Sequence, residues 1–161
     1  MRPSFFQHLH PPSIPASQAR LRHTLGAGGA AFFLLFIVIV SGALQMFHYV
    51  PDPQKAALSI QEATYLAPFG WLVRGLHFWS AQLLVLAALL HLLRVVFTGA
   101  YGAPRRLNYL IGMGLLLLAV LLDFTGYALR WDQGVIWVLA NGTELIRSIP
   151  VLGKPLYAVL V

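Results

Sequence analysis

The sequence predicts an all-α integral membrane helical bundle, with three transmembrane helices and interfacial amphipathic helices beside them. Two observations carry this expectation: the composition and the way charge is spaced. Of 161 residues, 58% are hydrophobic and 10% charged, whereas an ordinary soluble domain holds about a quarter charged residues. The apolar residues gather in three long runs, Thr24 to Phe47, Val73 to Leu93 and Leu107 to Leu129, in which Arg74 and Asp123 are the only charged residues. Each run can cross a hydrocarbon core, which takes about 20 helical residues.

Residues 1–25 hold four of the ten prolines and read as an irregular cytoplasmic arm, because proline interrupts helical hydrogen bonding. A membrane core over 26–132 follows, with helices expected at about 26–49, 71–97 and 107–130. The first run exceeds the roughly 7–15 apolar residues of a secretory signal core and reads as a retained helix. Val50-Pro-Asp-Pro53 marks its exit, and the mixed polarity of Gln54 to Pro68 suggests a short interfacial helix. Trp71 and Trp79 suit a membrane boundary. The turn Thr98-Gly-Ala-Tyr-Gly-Ala-Pro104 separates the second and third spans. Residues 133–161 read as an outer-face amphipathic segment, with Val135, Ile136, Leu139, Leu145 and Ile146 alternating with Asn141, Glu144 and Arg147. Ile149-Pro150 breaks it, and the apolar tail Leu156 to Val161 is too short to cross a bilayer.

The net charge of +6 does not point to nucleic acid, because the bases flank the apolar runs instead of forming a stripe. Arg2, Arg20, Arg22, Arg94, Arg105 and Arg106 fall on one side with no acids. Lys55, Arg74, Arg130, Arg147 and Lys154 fall on the other, offset by Asp52, Glu62, Asp132 and Glu144. The positive-inside rule then puts the N-terminus in the cytoplasm. Without cysteine, the chain has no disulfide, thiolate site or thioether attachment point.

The chemistry centres on His77 and His91. They are 14 residues apart on the second span, so they return to within about 40° of one face and stand about 21 Å apart in depth. A neutral imidazole is a good axial iron ligand, and one buried in a membrane helix needs a partner for its nitrogens. Metal ligation and helix–helix hydrogen bonding both satisfy that need. The interval recurs as Gly28 and Gly42 on the first span and Gly112 and Gly126 on the third, where a planar ligand or another backbone could approach closely. In an antiparallel bundle, Gly28, His91 and Gly112 share a cytoplasmic level, and Gly42, His77 and Gly126 an outer one. Arg74 and Arg94 stand three residues beyond each histidine toward water. They would pair there with the carboxylates of a bound haem or snorkel to the interface. His8, His10 and His23 fall in the cytoplasmic arm and His48 at the outer end of the first span, where solvated or interfacial roles suit them. Asp123, an acid inside a span, reads either as a proton-relay or pocket acid or as a structural partner of an arginine or buried hydroxyl.

The residues resemble the N-terminal part of the cytochrome b family, of the cytochrome bc and b6f type, the membrane subunit of quinol:cytochrome c or plastocyanin oxidoreductases. The matching stretches are Ser41-Gly42, Gly70-Trp-Leu-Val-Arg74 with His77 and Trp79, His91 with Arg94, Thr98-Gly99, Pro104-Arg105, Thr125-Gly-Tyr-Ala-Leu-Arg-Trp-Asp-Gln133 and Ile149-Pro-Val-Leu-Gly153. The resemblance implies two b-type haems, His77 ligating the outer one and His91 the cytoplasmic one. The second axial ligands would come from a fourth membrane helix beyond this chain. It also implies quinol or quinone as substrate, oxidised at the outer face in a pocket partly lined by Tyr127 and residues 133–149. The implied partners are the C-terminal portion or subunit of cytochrome b, an iron-sulfur protein, a c-type cytochrome and membrane lipid, in a bacterial cytoplasmic membrane. Activity would belong to the multi-subunit oxidoreductase and not to this segment alone. Two positions depart from the family pattern: Phe78, where a basic residue often follows the first histidine, and Arg130, where a proline is common. A haem-bearing anchor subunit of a dehydrogenase or hydrogenase is the alternative, although it gives no reason for the glycine layers. A transport or structural bundle would call for broken helices and polar midplane residues that the sequence lacks.

Overall fold

The computed structural model describes residues 26–102, 105–148, 150 and 158. The arm expected over 1–25 lies outside them, as does most of the chain after Ser148. Regular structure among the described residues is helical throughout: α1 (Ala27–Met46), α2 (Ala56–Tyr65), α3 (Gly70–Phe97), α4 (Arg106–Ala128) and α5 (Gln133–Arg147). α1, α3 and α4 are long and apolar enough to cross a membrane. The chain divides into two compact units, Met1–Phe47 with Trp71–Asp123 and His48–Gly70 with Phe124–Val161.

In the first unit the spans bury little of themselves: 6%, 6% and 0% of the residues in their most apolar windows are enclosed. Helices apolar on all sides and left open in this way present their surface to hydrocarbon or to further membrane helices. What joins them is polar and local. α1 meets α3 where Ser41, one of the few enclosed residues of the spans, approaches His77. α3 meets α4 through Gln82, whose Nε2 donates to Asp123 Oδ1 at 2.9 Å. Asp123 is therefore held by an amide, and not by the arginine or hydroxyl anticipated for it. Gly99, with φ 65, closes α3. Its N–H returns to the Val96 carbonyl at 3.1 Å and that of Ala100 to the Val95 carbonyl at 3.0 Å, which satisfies carbonyls that a helix end leaves open.

In the second unit, Asp52 starts α2. Its Oδ1 accepts from the N–H groups of Gln54 and Lys55 at 2.9 and 3.1 Å, and its carbonyl accepts from Ala56 N–H at 2.7 Å. α1 has already stopped at Met46, short of the expected Tyr49, and the chain then runs without helix through Pro51 and Pro53. Ser59 Oγ accepts from Val50 N–H at 3.1 Å and donates to the Ala56 carbonyl at 2.8 Å, pinning the entry strand to α2. Tyr49 Oη donates to the Leu129 carbonyl at 2.8 Å, and burial pushes its phenol pKa up, so the donor is retained at alkaline pH. At Gly70 a Cβ would collide with the Ala63 carbonyl, so only glycine lets the chain turn from α2 into α3.

α4 ends at Ala128, two residues before the expected Arg130. Trp131 takes a left-handed conformation (φ 46), and Arg130 folds back so that Nε and Nη2 both donate to Asp132 Oδ2. The other carboxylate oxygen accepts from Val135 N–H at 3.0 Å, the geometry of a helix N-cap. Arg130 thus ends one helix and braces the residue that starts the next. Val135 is fully enclosed.

Two predictions follow from these contacts. The hydrogen bonds from Arg130, then from Val135 N–H, hold the Asp132 carboxyl below its ordinary range. The stabilisation is therefore fully present above the ordinary carboxylate pKa and is lost as pH falls through the lowered one. Protection factors along α5, corrected for the intrinsic pH dependence of amide exchange, should fall in acid, and Asp132→Ala should show that loss at neutral pH, about 1 kcal/mol for a missing cap. At the other contact, Asp123→Asn retains an acceptor for Gln82 and should leave thermal stability in detergent near wild type. Asp123→Leu should lower it by about 1 kcal/mol.

Candidate functional site

Helix α3 carries His77 and His91 on nearly one face, separated by about 21 Å of helix rise. Both imidazoles lie against the backbone of α1. A Cβ added at Gly42 would stand 2.9 Å from His77 Cε1 and 3.4 Å from its Nδ1; one added at Gly28 would stand 3.1 Å from His91 Cε1 and 3.3 Å from its Nδ1. These distances are closer than carbon atoms pack. The two glycines are therefore what lets these imidazoles reach the backbone of α1. The contact repeats at the 14-residue interval on both helices, so Gly28 faces His91 and Gly42 faces His77.

The hydrogen bonds at His77 settle which of its nitrogens carries the proton. Nδ1 lies 3.1 Å from the Val38 carbonyl, which can only accept. Ser41 Oγ, also 3.1 Å from Nδ1, commits its own hydrogen to the Ile37 carbonyl at 2.5 Å. Both partners are acceptors toward the ring, so in the neutral imidazole the hydrogen belongs on Nδ1 and the lone pair on Nε2. This is the arrangement that prepares an imidazole to bind a metal, with one nitrogen anchored to a carbonyl and the other nucleophilic. At His91, Nδ1 is buried with no hydrogen-bond partner among the described residues.

The remaining residues singled out from sequence fall as follows. Arg74 and Arg94 are half-buried, each three residues from its histidine along α3. Gly112 and Gly126 lie on α4, and a Cβ at either would meet no atom of the described residues within 4 Å. On α4, then, the glycines border open space, whereas those on α1 are filled by imidazole. Tyr127 is half-buried in the second unit. The Arg130 guanidinium lies 5.1 Å from its ring centroid, within cation–π range, and its hydroxyl would be 3.5 Å from a Cβ placed at Gly134.

Sequence reasoning missed the roles of Val38, Gln82 and the Arg130–Asp132 pair. Val38 acts through its carbonyl, which leaves no trace in a side-chain pattern. Gln82 was readable in principle as an amide in an otherwise apolar stretch that also needed a partner for Asp123. Asp132 directly before a helix is an N-cap signal, and the base two residues earlier was available to pair with it.

A family model described as Cytochrome b/b6/petB matches residues 13–161 of this chain. Among curated proteins, cytochrome b6 of Heliobacterium modesticaldum is 37% identical over 147 residues, covering 91% of this chain and 67% of that protein. Cytochrome b6 of Heliomicrobium gestii is 38% identical over 138 residues, covering 83% of this chain and 65% of that one. The menaquinol:cytochrome c reductase cytochrome b subunit of Geobacillus thermodenitrificans is 36% identical over 133 residues, covering 83% and 59%. The chain thus spans about two thirds or less of the length of these relatives. With a match over nearly its whole length and three long apolar helices in the expected order, the chain is an integral membrane protein that belongs to the cytochrome b/b6 family.

Proposed function

We propose that the chain is the haem-carrying membrane segment of a quinol:cytochrome c or plastocyanin oxidoreductase, with His77 and His91 each giving one axial ligand to one of two b-type haems. The observation that carries this reading is the state of His77: Nδ1–H anchored on the Val38 carbonyl and Ser41 Oγ, and Nε2 left with its lone pair. The buried, unpartnered Nδ1 of His91 and the glycine contact at both rings fit the same group. The family match supports it over a dehydrogenase or hydrogenase anchor.

Bound haem would supply reversible one-electron chemistry at two depths of the membrane. Gly28 and Gly42 let each ring rest against α1, which limits its rotation and sets the direction of Nε2. Gly112 and Gly126, with open space at their surfaces, leave room for a flat ligand on α4. Arg74 and Arg94 would bind propionates by charge-assisted bonds. Each iron would need a further ligand besides these histidines, which a partner portion of cytochrome b would supply. Tyr127 and the α5 segment would line part of a quinol pocket at the outer face, with the Arg130 guanidinium against the Tyr127 ring limiting its motion. The name of the Geobacillus relative points to menaquinol and cytochrome c, and an iron-sulfur protein and a c-type cytochrome are the partners this reading needs. The bases before α1 and around the turn from α3 to α4, which no acid offsets, favour an N-terminus on the cytoplasmic side, and a bacterial cytoplasmic membrane suits this reading.

Membranes containing the complete complex should show two low-spin b-type haems by reduced-minus-oxidised spectroscopy. His77→Ala should abolish one and His91→Ala the other, and unaltered spectra in both variants would overturn the assignment. Gly42→Val and Gly28→Val should likewise each lose a single haem, because either side chain would occupy the space of one imidazole.

A further inference from the structure

The two histidines share a glycine contact but differ in what surrounds Nδ1. At His77, the Ser41 hydroxyl oxygen stands 3.1 Å from Nδ1 and is 4% exposed, so water cannot take its place. Its short bond to the Ile37 carbonyl, 2.5 Å, polarises the hydroxyl and makes its oxygen a better acceptor. At His91 the same helical interval puts Ala27 before Gly28, just as Ser41 precedes Gly42, and the alanine methyl is no hydrogen-bond acceptor. The Nδ1 of His91 has no partner among the described residues. Any backbone carbonyl reaching His91 as Val38 reaches His77 would belong to Thr24, outside the described residues. At the residue before each glycine, the hydroxyl is the difference between the two sites.

Resting on the ligand assignment proposed above, we infer that Ser41 is a positioning residue that makes His77 the more electron-donating of the two imidazoles, lowering the reduction potential of the haem it holds. The physical route is short. An acceptor on Nδ1–H draws that proton away from the ring and raises electron density at Nε2. A more basic axial ligand stabilises ferric over ferrous iron, and hydrogen bonding beyond the ligands is one of the means by which a protein sets haem potential. The Val38 carbonyl alone would orient the ring; Ser41 adds the second acceptor.

The test is a redox titration of the complete complex in its membranes, with the two haems assigned by the His77→Ala and His91→Ala spectra. Ser41→Ala should raise the midpoint of the His77 haem and leave the His91 haem unmoved, a change on the order of fivefold in the reduction equilibrium, comparable to one neutral hydrogen bond. Ser41→Thr, which keeps an oxygen at the same place, should restore the wild-type value. Ala27→Ser should lower the midpoint of the His91 haem alone. The inference is overturned if both haems remain in Ser41→Ala with unchanged midpoints, or if both shift together. Should Ser41→Ala fail to assemble, Ala27→Ser decides by itself: a lower His91 midpoint supports the inference and an unchanged one overturns it. If the histidine variants keep both haems, it is the ligand assignment that has failed, and the titration distinguishes the two.

Discussion

Hydrocarbon offers no hydrogen-bond partner, so an imidazole placed in a membrane span must find one within reach of its own ring. That need organises the first unit. Each histidine of α3 lies against α1 at a glycine, and the approach is too close for any side chain. At His77 the closeness brings a main-chain carbonyl of α1 into range, so the bare surface that admits the ring also supplies its anchor. Packing and protonation state are then one problem with one solution. The rest of the spans can be uniformly apolar because polarity is confined to a few such points.

Much of this was legible in the sequence. Three apolar runs gave three spans, and the shared 14-residue interval picked out the histidines and α1 glycines that touch, together with Gly112 and Gly126, which meet no atom of the described residues. The intervals did not reveal what the glycines on α1 are against. They read equally as room for a ligand or for another backbone, and the structure places the histidine rings there. A spacing rule identifies which residues share a level, whereas the occupant of a gap depends on the rotation of two helices about their axes, which no single-chain pattern encodes. Asp123 was legible as an anomaly and not as a contact, since its partner Gln82 is neutral and stands 41 residues away.

The segment after α4 shows the same limit from the other side. Arg130 stands out in sequence only as a place where a proline is common, which would stop a helix by lacking an N–H. Here the helix stops by other means: the chain reverses at left-handed Trp131 and Arg130 turns to the carboxylate that caps α5. A side-chain ion pair does the work of a backbone constraint. It adds a charge beside Tyr127 that a proline would not bring.

The double contact between α1 and α3 also has a genetic consequence. Two glycines and two histidines at the same separation act as a pair of rulers laid side by side. Deleting or inserting one residue between Gly28 and Gly42, or between His77 and His91, would rotate one end of a helix by about 100° and break one contact while sparing the other. Only a matching change of length in the partner helix could restore both. A substitution within these stretches leaves both separations intact, but their lengths can change only together.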